Sequence, residues 1–317
     1  FVEKGGEIME LKKGIVVQST GSWYEVETEN GAIIPCRLKG KFRLDEHAFT
    51  NPVAVGDRVE MENKEGEYVI NSIAPRDNYI IRQSPKHEHA EHIIAANIDQ
   101  LVIVASIKMP RTSTGFIDRL LLGAEIYHIP SVLVINKQDT YNKKALEKQI
   151  FLIDIYKELG YPILLSSIHD EESTKVFREL LEGKTSLIAG HSGVGKSSLI
   201  NASTPDLEIR TAEVSQKYQK GRHTTTYATM YHLNQGSYVI DTPGIKEFGL
   251  TDLEMHEVGR YFPDFVPFLE HCKFNNCLHL EEPQCGIMDA VEAGIIHPER
   301  YKNYINIVES LKDKKKY

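Results

Sequence analysis

Gly190-His191-Ser192-Gly193-Val194-Gly195-Lys196-Ser197-Ser198 is the stretch that decides the fold. It fits the pattern G-x-x-x-x-G-K-[S/T] of phosphate-binding loops. The apolar run 185–189 before it predicts a buried strand, and residues 198–202 continue at helical spacing. A glycine-rich turn between strand and helix points several backbone N–H groups at one anion. We therefore expect Lys196 to reach the β- and γ-phosphates of a nucleotide, and Ser197 to ligate Mg²⁺.

A second polar motif, Asn136-Lys137-Gln138-Asp139, follows the apolar run 131–135. It lies at the predicted carboxyl end of a strand, where ligands bind in open α/β sheets. The pattern N-K-x-D there indicates guanine. We expect Asp139 to accept hydrogen bonds from N1–H and the 2-amino group, Asn136 to contact the base edge and the Lys137 stem to cover its face. Adenine lacks both donors and would leave a buried carboxylate unpaired.

Two segments after the phosphate loop are candidates for the γ-phosphate. Asp241-Thr242-Pro243-Gly244 follows the strand-like run 238–240. Here Asp241 would hold Mg²⁺ through water, and the Gly244 N–H would meet the γ-phosphate. The polar segment Gly221-Arg222-His223-Thr224-Thr225-Thr226 contains a candidate Mg²⁺ ligand, Thr225. His223 is either part of this site or an exposed loop histidine.

The order of these motifs is informative. Ser166-Ser167 closes the run 163–165, where a loop of small residues meets the guanine carbonyl. The guanine elements thus precede the phosphate loop, whereas ordinary small GTPases run phosphate loop, switches, base motif. This order predicts a circularly permuted P-loop GTPase domain over residues 86–250. Apolar strands alternating with helices indicate that its sheet is mostly parallel and covered on both faces.

Short strands between turn signals over residues 14–82 predict an OB-type β-barrel, assigned to residues 10–85. Residues 75–92 are polar and predict a linker, and Cys36 is expected to be buried. Four basic residues of equal parity would share one face of an extended segment: Arg37, Lys39, Lys41 and Arg43. Such a stripe can follow an RNA backbone, or it can be a solvated strand edge that deters aggregation.

Cys272-x4-Cys277-x-His279-x5-Cys285 places three of the four cysteines and one histidine close together. This is one tetrahedral Cys3His set, the closed coordination of a structural zinc ion. Because protein atoms fill all four positions, we assign no catalysis to it. Helices predicted over residues 287–295 and 298–312 complete a helical zinc-binding module at residues 251–317.

The composition narrows the possible functions. The 317-residue chain carries a net charge of −8, which argues against holding nucleic acid by bulk attraction, so any RNA contact must come from local patches. No apolar run approaches the roughly 18 residues that a membrane span needs. The few, clustered cysteines favour metal binding in a reducing cytoplasm. We expect a cytoplasmic monomer without membrane contact.

The chain resembles the bacterial small-ribosomal-subunit biogenesis GTPase A family in four features. These are the barrel, the permuted order of the motifs, the segment G-R-H-T-T-T and the C-x4-C-x-H-x5-C cluster. The resemblance covers about residues 14–312. It implies hydrolysis of GTP to GDP and phosphate, stimulated by the small (30S) ribosomal subunit, and a role in late subunit maturation. It also implies contact with 16S rRNA through the barrel and the zinc module, one structural Zn²⁺, and Mg²⁺ bound with GTP.

The resemblance also suggests residue roles. Guanine would be read by Asn136 and Asp139, and phosphate held by the loop from Gly190 to Ser198. Ile245 stands where Ras-like proteins have a glutamine that orients water. By resemblance, His223 is the candidate that positions the attacking water. Lys196 is the candidate catalytic residue that contacts the phosphates.

Two other classes of function stay open at this point. A P-loop kinase or ATPase would have to tolerate adenine, which Asp139 disfavours. A binding module with GTP as a structural ligand would bind nucleotide tightly without RNA-stimulated hydrolysis.

Overall fold

The structure is a computed structural model. It describes residues 2–4, 7–9, 11–20, 23–39, 51–83, 91–204, 228–234, 236–241 and 253–314. The chain forms two compact units. The first comprises Phe1–Gln100, Glu179–Ile188 and Ser215–Thr251, and the second Leu101–Arg178, Ala189–Val214 and Asp252–Tyr317.

The first unit contains a closed five-stranded barrel. Its strands are β3 (Leu11–Ser19), β4 (Tyr24–Thr28), β5 (Ile33–Leu38), β6 (Arg58–Lys64) and β7 (Glu67–Ile73). They pair in the order β3-β4-β5-β7-β6, and β6 pairs back to β3. Only the β5–β7 pair is parallel. Alternate side chains such as Val16, Val26 and Ile70 fill the interior, as an OB-type barrel requires.

Cys36 belongs to this barrel core, as expected. It is fully buried, and burial raises the pKa of its thiol to about 11. The apolar run that starts at Val53 does not open a strand, because β6 begins only at Arg58. Gly56 has φ of 89°, and the Asp57 carboxylate accepts a hydrogen bond from the Ala54 N–H at 2.8 Å, so the chain turns before the strand starts.

The prediction of a linker over residues 75–92 is wrong in part. Strand β8 (Tyr79–Gln83) lies within this segment, and β9 (Glu91–Ala96) begins in it and ends after it. The two strands pair antiparallel. Buried Ile80, Ile81 and Ile93 hold this pair, because their apolar surface outweighs the polar composition of the segment. A short antiparallel pair, β1 (Val2–Lys4) with β2 (Glu7–Met9), precedes the barrel.

Three further strands lie wholly or largely in the first unit: β13 (Thr185–Ala189), β14 (Thr229–His232) and β15 (Tyr238–Asp241). β13 and β15 run parallel, and β14 is antiparallel to β15. The predicted bounds of β13 agree with the structure.

The second unit contains a parallel sheet of β10 (Gln100–Ala105), β11 (Ser131–Ile135) and β12 (Ile163–Leu165). β10 and β11 are buried throughout, which explains their unbroken apolar sequence. The helices of this region are α1 (Thr114–Ile126), α2 (Lys143–Glu158), α3 (Glu171–Leu181), whose last residues belong to the first unit, and α4 (Lys196–Ser203).

The C-terminal part of the second unit is helical. It contains 3-10 helices at Met255–Tyr261 and Val266–His271, followed by α5 (Gly286–Glu292) and α6 (Pro298–Lys314). A buried ionic network joins α6 to α1: Arg300 Nη1 donates to Asp118 Oδ1 at 2.5 Å, and Nη2 donates to Asp264 Oδ1 at 2.7 Å. Among the described residues, no helix is both long and apolar enough to cross a membrane.

Candidate nucleotide site and metal centre

The phosphate loop joins β13 to α4, which begins at Lys196. Gly193 and Gly195 have φ of 79° and 101°, a conformation that favours glycine. Space is also restricted at Gly195, where a Cβ atom would lie 2.5 Å from Asn136 Nδ2. At Gly190 a Cβ would lie 2.3 Å from the Val104 carbonyl oxygen. Glycine is therefore required at these positions by backbone conformation and by close approach of neighbouring atoms.

Lys196 folds back over the loop. Its ammonium group donates to the carbonyl oxygens of Gly190 at 2.9 Å and His191 at 3.2 Å. Ser197 and Ser198 are half-buried in the first turn of α4, whereas Ser192 and Gly193 are exposed and Val194 is buried. The loop thus surrounds an ammonium group at a helix N-terminus, an arrangement suited to an anion.

Asn136 and Lys137 are bonded directly to the phosphate loop. Asn136 is 1% exposed, and its Nδ2 donates to the Val194 carbonyl at 3.1 Å. Lys137 Nζ donates to the Gly193 carbonyl at 2.7 Å and to that of Met109 at 2.6 Å. The structure therefore brings the base motif and the phosphate loop into contact, although they lie far apart in sequence.

Hydrogen bonds join the base motif to the two serines that follow β12. The Asp139 carboxylate is exposed and accepts a hydrogen bond from Ser167 Oγ at 2.6 Å. Ser166 Oγ donates to Asn136 Oδ1 at 3.1 Å, so the Asn136 amide is held at both ends within the protein. Its contact with a base stays a prediction. Gln138 Nε2 donates to the Ile135 carbonyl at 3.0 Å, which keeps that side chain on the strand end.

Tyr141 supports this motif and was not singled out from the sequence. Its hydroxyl donates to the Asn136 carbonyl at 2.6 Å and accepts from the Ile107 N–H at 2.8 Å. Burial raises the pKa of Tyr141, so the hydroxyl keeps the proton it donates. A tyrosine two residues after N-K-x-D gave no recognisable signal.

The γ-phosphate candidates are described only in part. Asp241 ends β15 and is paired with Ile188 of β13, two residues before the loop begins. Gly244, His223 and Thr225 lie outside the described residues. Their predicted roles stay predictions.

The four residues of the Cys3His set come together near the C-terminus. The ligand atoms of Cys272, Cys277, His279 and Cys285 all lie within 4.8 Å of one another. His279 Nδ1 is 3.5 Å from Cys272 Sγ and 3.4 Å from Cys285 Sγ, and those two sulfurs are 4.0 Å apart. Metal–sulfur bonds of about 2.3 Å in a tetrahedron give sulfur–sulfur edges of roughly 3.8 Å. The set therefore fits a tetrahedral cation.

The chemistry of the set also fits a divalent metal. Burial raises the pKa of the Cys277 thiol to about 12, so a cation is needed to stabilise thiolates there. Burial lowers the pKa of His279, which favours the neutral imidazole that ligates metals. The surrounding loop is held by hydrogen bonds: Tyr304 donates to the Leu278 carbonyl at 2.9 Å, and Glu282 accepts from the Leu278 N–H at 2.8 Å.

Two residues of the predicted basic stripe are described, and both have acidic neighbours. The Arg37 guanidinium lies 3.6 Å from Glu67 and 4.3 Å from the ring centroid of Trp23. Lys39 Nζ donates to Asn71 Oδ1 at 2.8 Å and lies 3.7 Å from buried Glu62. Lys41 and Arg43 lie outside the described residues. The local charge is thus partly balanced, and binding of RNA there stays a prediction.

Comparisons with known proteins agree with this geometry. The model of the RsgA GTPase family matches residues 73–251, and that of the RsgA N-terminal domain matches residues 13–69. A small ribosomal subunit biogenesis GTPase RsgA 2 of Bacteroides thetaiotaomicron is 46% identical over 306 residues, covering 96% of this chain and 98% of that protein. The RsgA of Flavobacterium johnsoniae is 46% identical over 300 residues, covering 93% and 92%.

Two solved structures are similar over nearly the whole chain. YjeQ from Thermotoga maritima has a TM-score of 0.77 at 38% identity, covering 95% of this chain and 99% of its own. YloQ, described as a circularly permuted GTPase, has a TM-score of 0.72 at 29% identity, covering 99% of both chains. The predicted fold class is therefore confirmed. It consists of an OB-type barrel, a circularly permuted GTPase domain and a C-terminal helical module with a Cys/His cluster. The chain belongs to the RsgA GTPase family and is a circularly permuted GTPase.

Proposed function

We propose that this GTPase hydrolyses GTP to GDP and phosphate when stimulated by the small ribosomal subunit, and that it acts late in maturation of that subunit. The supporting observation is the pair of hydrogen bonds from Asn136 to Val194 and from Lys137 to Gly193, at 3.1 and 2.7 Å. Because these bonds join the base motif to the phosphate loop, one nucleotide can span both. The role in ribosome assembly is supported by the names of the 46% identical relatives.

Each motif has a distinct part in this proposal. Asp139 reads guanine, while Asn136 and Lys137 fix the distance between base and phosphates. Lys196 leaves the loop carbonyls and neutralises charge on the phosphates. Mg²⁺ accompanies GTP, as the family implies. Ser197 and Thr225 are its proposed direct ligands, and Asp241 holds it through water.

The attacking water needs a group that Ile245 cannot supply, because an aliphatic side chain neither donates nor accepts hydrogen bonds. We assign that role to His223. Slow turnover is expected in the absence of the ribosomal subunit.

The remaining modules serve the partner. We propose an RNA-binding barrel at residues 10–85, the GTPase domain at 86–250 and a zinc-binding module at 251–317. Zinc is the proposed metal because three thiolates and one imidazole form a closed structural set that suits it. Contacts of the barrel and the zinc module with 16S rRNA, action in the cytoplasm and a monomeric state belong to the same proposal.

A GTPase assay with and without isolated 30S subunits tests the proposal. Initial rates would be measured at saturating GTP and Mg²⁺ for the wild type and His223→Ala. We expect the subunit to raise the wild-type rate by at least about tenfold, and the variant to bind GTP normally but lose most of that stimulation. Equal wild-type rates with and without the subunit would refute the proposal.

A further inference from the structure

An aromatic stack includes one residue of the phosphate loop. His191, the second residue of the loop, stacks on Phe116 of α1, with ring centroids 3.8 Å apart and an interplanar angle of 25°. Both side chains are half-buried. The Phe116 ring therefore contacts the phosphate loop, although Phe116 belongs to no nucleotide-binding motif.

Phe116 is itself firmly positioned. It lies in the first turn of α1, where its backbone N–H donates to the N-cap Ser113 Oγ at 3.2 Å. Further along the helix, Asp118 accepts from Arg300 and from Asn303 Nδ2, the latter at 2.6 Å. Hydrogen bonds at both points anchor α1, the helix that carries the Phe116 ring.

The backbone of His191, the other partner of the stack, accepts hydrogen bonds from within the phosphate loop. The His191 carbonyl accepts from Lys196 Nζ at 3.2 Å and from the Val194 N–H at 3.3 Å. The position of His191 therefore sets the turn from which the Lys196 ammonium departs toward phosphate. Because Gly193 and Gly195 add conformational freedom to this loop, ordering it costs entropy unless something holds it beforehand.

We propose that Phe116 is a positioning residue of the nucleotide site, which holds the phosphate loop in its binding conformation by stacking on His191. The inference rests on the proposed binding of guanine nucleotide. Phe116 acts through His191 and takes no part in the chemical step.

The energy of an aromatic stack sets the expected effect. Such a pair corresponds to about two- to tenfold in an equilibrium constant. Since the loop holds phosphate in both the ground state and the transition state, loss of the stack should raise KM and leave kcat nearly unchanged.

The experiment measures binding of a fluorescent GDP analogue with Mg²⁺, and steady-state GTP hydrolysis, in the full-length chain. Phe116→Leu keeps apolar volume but removes the stack, whereas Phe116→Tyr keeps the aromatic face. Phe151→Ala is the matched control, because Phe151 also contacts a histidine, His297, at 5.2 Å in the same unit. Circular dichroism checks that every variant is folded.

We expect Phe116→Leu to weaken GDP binding and raise KM by about two- to tenfold, with kcat within about twofold of the wild type. Phe116→Tyr and Phe151→Ala should bind like the wild type. Wild-type affinity in Phe116→Leu, or a lower kcat at unchanged KM, would overturn the inference while leaving the proposed function intact. Failure of the wild type to bind GDP would instead refute the proposed function.

Discussion

Arg300→Leu is expected to loosen the attachment of α6 to α1 in the second unit. The Arg300 side chain is 3% exposed, and it donates to Asp118 and to Asp264. Burial lowers the pKa of Arg300, but the Asp118 and Asp264 carboxylates raise it above its ordinary value, so the guanidinium stays charged. Leucine would keep apolar contact with Phe262 and remove that charge.

The free-energy cost of Arg300→Leu depends on the contacts that Asp118 would keep. Asp118 is fully buried and would keep hydrogen bonds from Tyr156 at 2.7 Å and Asn303 at 2.6 Å, but no cation. Removing one partner of a buried ion pair costs about 3–5 kcal/mol. At about 1.4 kcal/mol per tenfold, the open state of α6 should become roughly 10²- to 4 × 10³-fold more populated.

Native-state hydrogen exchange of the α6 backbone amides measures this population directly. Lys302→Ala, an exposed change on the same helix, should leave the exchange rates unchanged. Arg300→Lys keeps a charge but lacks the planar fork, so it should fall between the wild type and Arg300→Leu. Exchange in Arg300→Leu within about threefold of the wild type would refute the assigned role of the network.

Substitutions in the phosphate loop and in the Cys3His set test the two sites separately. Gly195→Ala should weaken GDP binding by about five- to thirtyfold, because a left-handed conformation costs a non-glycine residue about 1–2 kcal/mol and the new Cβ would lie 2.5 Å from Asn136 Nδ2. Unchanged affinity in a GDP titration would contradict the assigned loop geometry. Cys272→Ser should lower bound zinc from one per chain toward none, measured by elemental analysis. Cys36→Ala, in the barrel core, should keep its zinc, and full retention in Cys272→Ser would exclude this ligand set.

Much of the fold was predictable because its signals are local. The strand at 185–189 and the helix after the phosphate loop follow from an apolar run, a glycine turn and helical spacing. The β8–β9 pair was missed because charged and polar residues dominate the segment, although buried Ile80 and Ile93 carry its stability. The average composition of a segment does not reveal that two or three of its apolar side chains are buried by tertiary contacts and so stabilise a strand pair.

The site was predictable as a set of motifs, but not as a set of contacts. Sequence patterns predict that Asn136 and Lys137 bind a base, whereas the structure shows both side chains hydrogen-bonded to the phosphate loop. The stack of Phe116 on His191 and the pair of Asp118 with Arg300 join residues distant in sequence. Such pairs depend on the packing of whole helices, so no spacing in a single sequence reveals them.

Asp139 and Lys196 are expected to act on one bound guanine nucleotide. Equilibrium titration of the wild type and Asp139→Asn with fluorescent GDP and XDP tests this most directly, because asparagine can donate to the 2-oxo group that xanthine has in place of the amino group. We predict that Asp139→Asn loses about 10²- to 10⁴-fold in affinity for GDP and gains affinity for XDP, while Lys196→Ala weakens both. Equal affinity of Asp139→Asn and wild type for GDP would contradict the claim.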